Sequence, residues 1–317
     1  MAKESLPRLD QSEELREKLL PHCRLKKGEI WQDPRGLHRV GVIDAASREE
    51  VLRLFGDRRA ELMIHDPPYN FRVGGKKKSA ALFEKSTADY IDFSRAWVRN
   101  SIAASAEDAH LYIWLGAQQK KGFQPLPDFM MMMREFPELQ SRSFITLRNQ
   151  RGYGTQKNWM SVRQELLYYQ KGNPEFAVQY TEIPKVLKGY YKSVAGKRTE
   201  NIERSRSDCI RPGNVWLDVQ QVFYRMGENV PGAFAQKPLK AIDRLIAASG
   251  GISLVGDLFA HSGTTLVAAE RRGISCYTGD IDPIFAELSI RRLERFRRTG
   301  EIGWQWHSPF PEVEMRL

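Results

Sequence analysis

Three cysteines in 317 residues, Cys23, Cys209 and Cys276, are too few and too far apart to staple the fold or to form a thiolate metal site. An odd, sparse count points instead to reduced thiols in a cytoplasm-like compartment. The six histidines show no ligand spacing either, so no metal is expected. No apolar run approaches about 18 residues, which argues against a transmembrane helix. Met1-Ala2-Lys3-Glu4 lacks the apolar core of a signal peptide. A cytoplasmic protein that avoids membranes is the expectation. Internal repeats and long low-complexity tracts are missing. So is the Gly-x-Gly-x-x-Gly fingerprint, which counts against a nicotinamide cofactor.

Acidic residues are also in deficit. There are 49 Lys and Arg against 39 Asp and Glu, for a formal charge of +10 and a pI near 9.5. That surplus favours a polyanionic partner, with nucleic acid leading, although a basic enzyme with no such partner would share it. The 41% hydrophobic and 10% aromatic content is ordinary for a soluble globular chain. The length allows one large domain or two modest ones.

The chain divides by composition. Residues 1–37 read as a charge-rich arm, with a helix start at Ser12-Glu13-Glu14 and a Leu15/Leu19 spacing. A strand over 38–44 ends at Asp44, a helix follows at about 47–55, and a strand at 61–65 runs into Asp66-Pro67-Pro68-Tyr69-Asn70. Two glycines and three lysines (Lys76, Lys77, Lys78) make 71–79 a cationic loop. An amphipathic helix spans 89–104, with Tyr90, Phe93, Trp97 and Ile102 inward. Strands are expected at 111–115, 143–147 and 165–169, the last two bracketing a polar Gly-rich loop at 149–155. The methionine cluster at 130–133 reads as core packing. Residues 173–230 change character. Tyr180, Tyr190 and Tyr191 interleave with Lys185, Lys188, Lys192, Lys197, Arg198, Arg204 and Arg206, breakers are frequent, and no sheet-like pattern shows. Basic groups among aromatics suit a nucleic-acid surface, and an irregular solvated insertion is the alternative. Regular structure returns with helices at 239–248 and 284–298. Between them lie a strand–turn–helix at 252–272 and a strand ending at Asp280. The tail carries Trp304, Trp306 and Phe310, which must pack back or meet another subunit.

Two stretches carry chemistry. Asp257 to Thr265 is a small-residue turn before a helix N-terminus, which suits close approach to a ligand and offers free N–H groups. Asp280 closes the next strand 23 residues after Asp257, near the spacing at which an acid takes ribose hydroxyls. The other stretch is Asp66 to Tyr69. An exocyclic base amine is a poor nucleophile because its lone pair is delocalised into the ring. A carboxylate (Asp66) and a fixed carbonyl (Pro67) can bind both amine hydrogens and draw the nitrogen toward tetrahedral geometry. Tyr69 can stack on a base rotated out of a duplex. A plain Asp-Pro-Pro surface turn is the competing interpretation.

Together these stretches resemble the β-group amino DNA methyltransferases over roughly residues 38–298. Asp66-Pro67-Pro68-Tyr69 matches the catalytic motif. Asp257, Phe259, Ser262, Gly263, Thr264 and Thr265 match the cofactor turn, and Gln236-Lys237-Pro238-Leu239 matches the segment before it. Asn214-Val215-Trp216 resembles a further segment. Leu258, His261, Asp280 and Ala233-Phe234-Ala235 depart from the usual Pro, Gly, Glu and His-Pro-Thr. If His261 takes a positive φ, it does so at a cost.

The resemblance implies an α/β class I (Rossmann-like) methyltransferase fold with a mostly parallel seven-stranded sheet, circularly permuted, with an inserted target-recognition region. Its parts would be an arm (1–37), a catalytic half (38–172), the recognition region (173–230), a cofactor-binding half (231–300) and a tail (301–317). The implied cofactor is S-adenosyl-L-methionine, and the implied partner is double-stranded DNA methylated at adenine N6. A homodimer and a cognate restriction endonuclease are further candidates. Asp66, Pro67, Pro68 and Tyr69 would be catalytic. Cofactor contacts are implied for Asp44, His65, Asp66, Lys237, Asp257, Leu258, Phe259, His261, Ser262, Gly263, Thr264, Thr265 and Asp280. DNA contacts are expected from Asn70, Arg72, Lys76, Lys77, Lys78, Lys192, Lys197 and Arg198. Alternatives are a cytosine N4 enzyme, an RNA methyltransferase of the same fold and a non-catalytic DNA-binding relative.

Overall fold

The computed structural model describes residues 9, 12–68, 87–116, 125–153, 156, 159–185, 191–200 and 206–313. Its elements in chain order begin with α1 (Glu13–Leu19), β1 (Ile30–Gln32), β2 (His38–Val42), α2 (Arg48–Phe55), β3 (Ala60–His65) and α3 (Thr87–Ala104). Next come β4 (Ser105–Leu115), α4 (Pro125–Met132), β5 (Leu139–Tyr153), β6 (Ser161–Lys171), β7 (Tyr191–Val194), β8 (Lys197–Glu200) and β9 (Val215–Trp216). Last are α5 (Leu239–Ala248), β10 (Leu254–Asp257), α6 (Thr264–Arg271), β11 (Ser275–Asp280) and α7 (Pro283–Thr299).

The main sheet has the order β1-β2-β11-β10-β3-β4-β6-β5-β9. Strands β2, β11, β10, β3 and β4 are mutually parallel, while β6 runs antiparallel between β4 and β5. The expectation of seven strands is therefore corrected to nine among the described residues. The two additions are edge strands, three-residue β1 and two-residue β9, too short to show a two-residue period in sequence.

Alternation across the sheet divides the core in two. Leu62, Ile64 and Val255 face one layer, with α5, α6 and α7. Met63 and Leu254 face the other, with α2, α3 and α4. With both faces covered, β3 is apolar at successive positions, as a central parallel strand must be. Trp97 and Trp114 are fully buried, one on each side. Each such ring contributes about 4–6 kcal/mol of transfer free energy.

Helix ends follow their caps. Ser47 accepts the Glu50 N–H at α2, and Asp282 accepts the Ile284 N–H ahead of Pro283 at α7. The tail does pack back. Trp304 and Phe310 join Leu9, Leu15, Leu19, Ile284, Phe285 and Leu288 in a third cluster that fastens α1 onto α7.

Three local expectations change. The Gly-rich stretch 149–155 is not all loop, because β5 continues through Tyr153. Region 173–230 is not free of sheet. β7 and β8 pair as a hairpin, with Ala195 and Gly196 both at positive φ as a two-residue hairpin turn requires. The methionine cluster is only half core, since Met132 and Met133 are buried while Met130 and Met131 face solvent, as helical periodicity dictates. Among the described residues no helix is long and apolar enough to cross a membrane.

Candidate active site

β3 and β10 lie side by side and parallel, Leu62 opposite Val255, although about 190 residues separate them in sequence. β11 pairs with β10 on its other side. All three end at one edge. Asp66 follows β3 directly, Asp257 closes β10 and Asp280 closes β11. Asp44, just past β2, joins them, because the adjacent Ile43 N–H donates to the Asp280 carbonyl. Four carboxylates from four adjacent parallel strands thus gather where open α/β sheets hold ligands.

These charges are organised. The Lys237 ammonium donates to Asp66 Oδ2 and lies 5.4 Å above the Trp114 ring. The Asp257 carboxylate accepts the Thr265 hydroxyl at 2.6 Å and the Phe259 N–H at 2.9 Å. Burial nevertheless pushes Asp257 up to about 7; the neighbouring Asp66 charge adds to this and Lys237 opposes it. Asp280 accepts the His261 N–H at 2.9 Å and the Asp282 N–H at 3.0 Å, and burial pushes it, too, up to about 7. Asp44 accepts the Ala46 N–H at 2.9 Å, while its own N–H donates to Glu50.

The turn between β10 and α6 is tightly held. His261 has φ 44 and Gly263 has φ 70, both left-handed. At Gly263 an added Cβ would lie 2.8 Å from the Ser289 Cα of α7, so only glycine fits. His261 has no such steric excuse. Its left-handed backbone costs about 1–2 kcal/mol, and its ring packs against Phe285 at 4.7 Å, which offsets part of this. Arg292 of α7, fully buried, reaches under the turn. Its guanidinium donates to Ser262 O (2.8 Å), Thr264 Oγ1 (3.0 Å), Ile302 O (2.7 Å) and Glu228 O (3.3 Å). Burial pushes its pKa down to about 10, with Glu228 opposing.

A DNA methylase family model matches residues 60–291, a span that includes both Asp66 and the turn. The chain belongs to this DNA methylase family. Three solved structures share its fold. M1.HpyAVI in complex with SAM is 14% identical (TM-score 0.51), with 81% of this chain and all of that one covered. The cytosine-N4-specific PvuII DNA methyltransferase is also 14% identical (TM-score 0.55), covering 80% and 85%. A putative DNA modification methylase from Thermus thermophilus, complexed with S-adenosyl-L-methionine, is 22% identical (TM-score 0.50), covering 82% and 94%.

Within this family member the structure brings together Asp44, Asp66, Lys237, Asp257, Phe259, His261, Ser262, Gly263, Thr264, Thr265 and Asp280 around one edge. Pro67 is buried and Pro68 half-buried beside Asp66. The structure places His65, one of the expected cofactor contacts, in the core. It is wholly buried beneath the turn, between Trp97 (5.3 Å) and Phe259 (5.9 Å). Its Nδ1 accepts the Leu258 N–H at 3.3 Å, so Nε2 carries the proton and donates to Ser101 Oγ at 2.7 Å. Burial pushes its pKa down to about 3, keeping it neutral. The Leu258 side chain is likewise buried and can offer a ligand only backbone.

Tyr69, Asn70, Arg72, Lys76, Lys77 and Lys78 lie outside the described residues. Lys192, Lys197 and Arg198 fall on the separate β7–β8 hairpin, which is not part of the main sheet.

Sequence reasoning missed Arg292. The signal was present. Arg292 lies four residues after Leu288 and three after Ser289, on the buried face of α7. Ser101 and Trp114, which anchor His65 and underlie Lys237, gave no comparable sign.

Proposed function

We propose that this chain transfers the methyl group of S-adenosylmethionine to adenine N6 of a base flipped out of duplex DNA. One observation carries the reading. Asp66 stands at the end of β3 beside the Asp257–Thr265 turn on the neighbouring strand, and Lys237 joins it from the segment before α5.

The residues fit the donor. Asp257 and Asp280 each accept two hydrogen bonds, and an ionised carboxylate has about four acceptor sites, so both keep capacity for ligand donors. Gly263 keeps the turn narrow enough for close backbone approach. When bound, the donor supplies an electrophilic methyl on a positively charged sulfur. Asp66 and Asp257 favour a cation at that place, Asp280 suits the ribose hydroxyls, and Asp44 lies within the same edge for the adenine ring.

Toward the base, Asp66 accepts an amine hydrogen and the rigid Pro67 carbonyl accepts the other, so the nitrogen lone pair turns to the methyl. Most of the acceleration comes from this positioning. Lys237 fixes the rotamer of Asp66. The lean toward adenine rests on Asp at the first catalytic position with Asn70 after Tyr69. The cationic loop 71–79 and region 173–230 are the proposed DNA-facing parts.

Asp66→Ala should abolish methyl transfer while S-adenosylmethionine still binds in calorimetry. Sequencing DNA from expressing cells, with modified-base detection, should reveal N6-methyladenine at one motif. N4-methylcytosine would overturn the base assignment, and modification of RNA alone would overturn the substrate.

A further inference from the structure

A cavity of about 420 Å³ opens on the α5 face of the sheet, apart from the site above. It meets α5 at Arg244, Leu245 and Ala248, whereas Lys237 stands before the other end of that helix. None of Asp44, Asp66, Asp257 and Asp280 lines it. Its floor follows from strand register. Tyr112 of β4 lies opposite Tyr168 of β6, and Tyr168 lies opposite Ser143 of β5, so the three side chains form one row on one face. The two tyrosine rings stack at 4.4 Å and 10°. Ser143 stands at the third place in the row, brings no ring and lines the cavity. A volume of this order suits a small-molecule ligand.

The aromatic walls are fixed in place. His110 Nε2–H donates to the Glu175 carbonyl at 3.0 Å, and burial pushes the pKa of the ring down, so Nδ1 accepts the Tyr168 hydroxyl at 2.8 Å. Gln170 donates to the same hydroxyl at 2.6 Å. Trp216 donates its Nε1–H to the Gly213 carbonyl at 3.0 Å, with the Arg244 guanidinium 4.7 Å over its ring. Arg244 is itself paired with Asp218. Phe176, 45% exposed, forms a further aromatic wall. The polar groups are few and directed. Gln179 donates both amide hydrogens, to Ala177 O at 3.0 Å and Ala247 O at 2.9 Å, so what it has left for a ligand is its oxygen, an acceptor. Ser143 adds a hydroxyl. Arg211 is exposed, and no acidic residue lines the cavity. Flat apolar walls, an acceptor for an N–H group and an outer cation match an aminopurine ring that carries a phosphate.

We propose that this cavity binds a free adenine nucleotide, with the ring over Ser143 beside Tyr168, the exocyclic amine on the Gln179 oxygen and the phosphate on Arg211. The proposal does not depend on the methyl-donor reading. Its test is calorimetry of the full chain with adenosine 5′-monophosphate in the presence of excess S-adenosylmethionine, which should still show a single site. Ser143→Leu fills the third place in the row and should weaken the nucleotide about tenfold, the size of one lost stacking contact, with S-adenosylmethionine affinity unchanged. Inosine 5′-monophosphate, with a carbonyl in place of the amine, should bind the wild type about fivefold more weakly, and Gln179→Leu should abolish that preference. Arg211→Gln should weaken the nucleotide but not adenosine. The Gln179 and Arg211 variants carry the test if thermal melting shows Ser143→Leu unfolded. Nucleotide binding that S-adenosylmethionine abolishes, or that none of the three variants changes, overturns the cavity in favour of the donor site. Absence of nucleotide binding overturns it outright. A Ser143-sensitive affinity for a single-stranded oligonucleotide, without one for the nucleotide, overturns the free ligand in favour of a base within a strand.

Discussion

Gly263→Ala adds one methyl group at the tightest point of the turn between β10 and α6, and its cost can be worked out in parts. The residue has φ 70 and ψ 26, a conformation that costs an L-residue about 1–2 kcal/mol. The new Cβ would lie 2.8 Å from Ser289 Cα and 3.0 Å from its Cβ and Oγ. Because the nearest atom is helix backbone, α7 or the turn must shift, adding about 1–3 kcal/mol. The sum is about 2–5 kcal/mol. Gly273→Ala is the matched control. It has φ 67, and nothing lies within 4 Å of its added Cβ, so only the conformational part remains. The stiffening of the unfolded chain by alanine is common to both and cancels. At about 2 °C per kcal/mol, for a chain this long, thermal unfolding without cofactor should fall by roughly 4–10 °C for Gly263→Ala and 2–4 °C for Gly273→Ala. In calorimetry, S-adenosylmethionine should bind more weakly to the first variant only. Equal melting shifts with equal cofactor affinity would refute the claim that α7 sets the shape of the turn.

Two further predictions follow from the charges. Lys237→Met keeps the contact with Trp114 but leaves Asp66 without its ammonium beside buried Asp257. Breaking a fully buried pair costs about 3–5 kcal/mol, and the 22% exposure of Asp66 reduces this to roughly 2–3 kcal/mol. Turnover should drop by about two orders of magnitude, with partial recovery in Lys237→Arg; an unchanged turnover number would show that Lys237 does not orient Asp66. The second concerns protons. Asp257 and Asp280 sit at about 7 before cofactor binds, and a sulfonium and hydroxyl donors favour their ionised forms. Affinity for S-adenosylmethionine should therefore fall as pH drops below 7 and level off above it, with proton release on binding near pH 7. Calorimetry in buffers of different ionisation enthalpy measures that release, and zero protons exchanged would contradict the assignment.

Much of this protein was legible before its fold was known, where the cause is local. The helix at 239–248 is amphipathic at a 3.6-residue period and forms with the expected bounds. Asp66-Pro67-Pro68 ends its strand because two prolines cannot continue a ladder. The small residues at 262–265 announced a tight turn. Other features were illegible for equally physical reasons. Strands β1 and β9 exist only because a neighbouring strand offers its edge. The continuation of β4 upstream through Glu107 and Asp108 is polar and carries no apolar pattern; it bridges Ser105, which pairs with Ala60 of β3, and Ala109, which pairs with Lys171 of β6.

The sequence by itself determined that a carboxylate turn and a small-residue turn exist, each at the end of a buried apolar strand, because propensity and breakers act within a few residues. Only the tertiary structure decided that these strands are neighbours, that Lys237 meets Asp66, and that buried His65 accepts the Leu258 N–H. It also decided that Arg292 and Ser289 of a distant helix shape the turn. Those facts depend on which elements pack together, and burial across the sheet sets that.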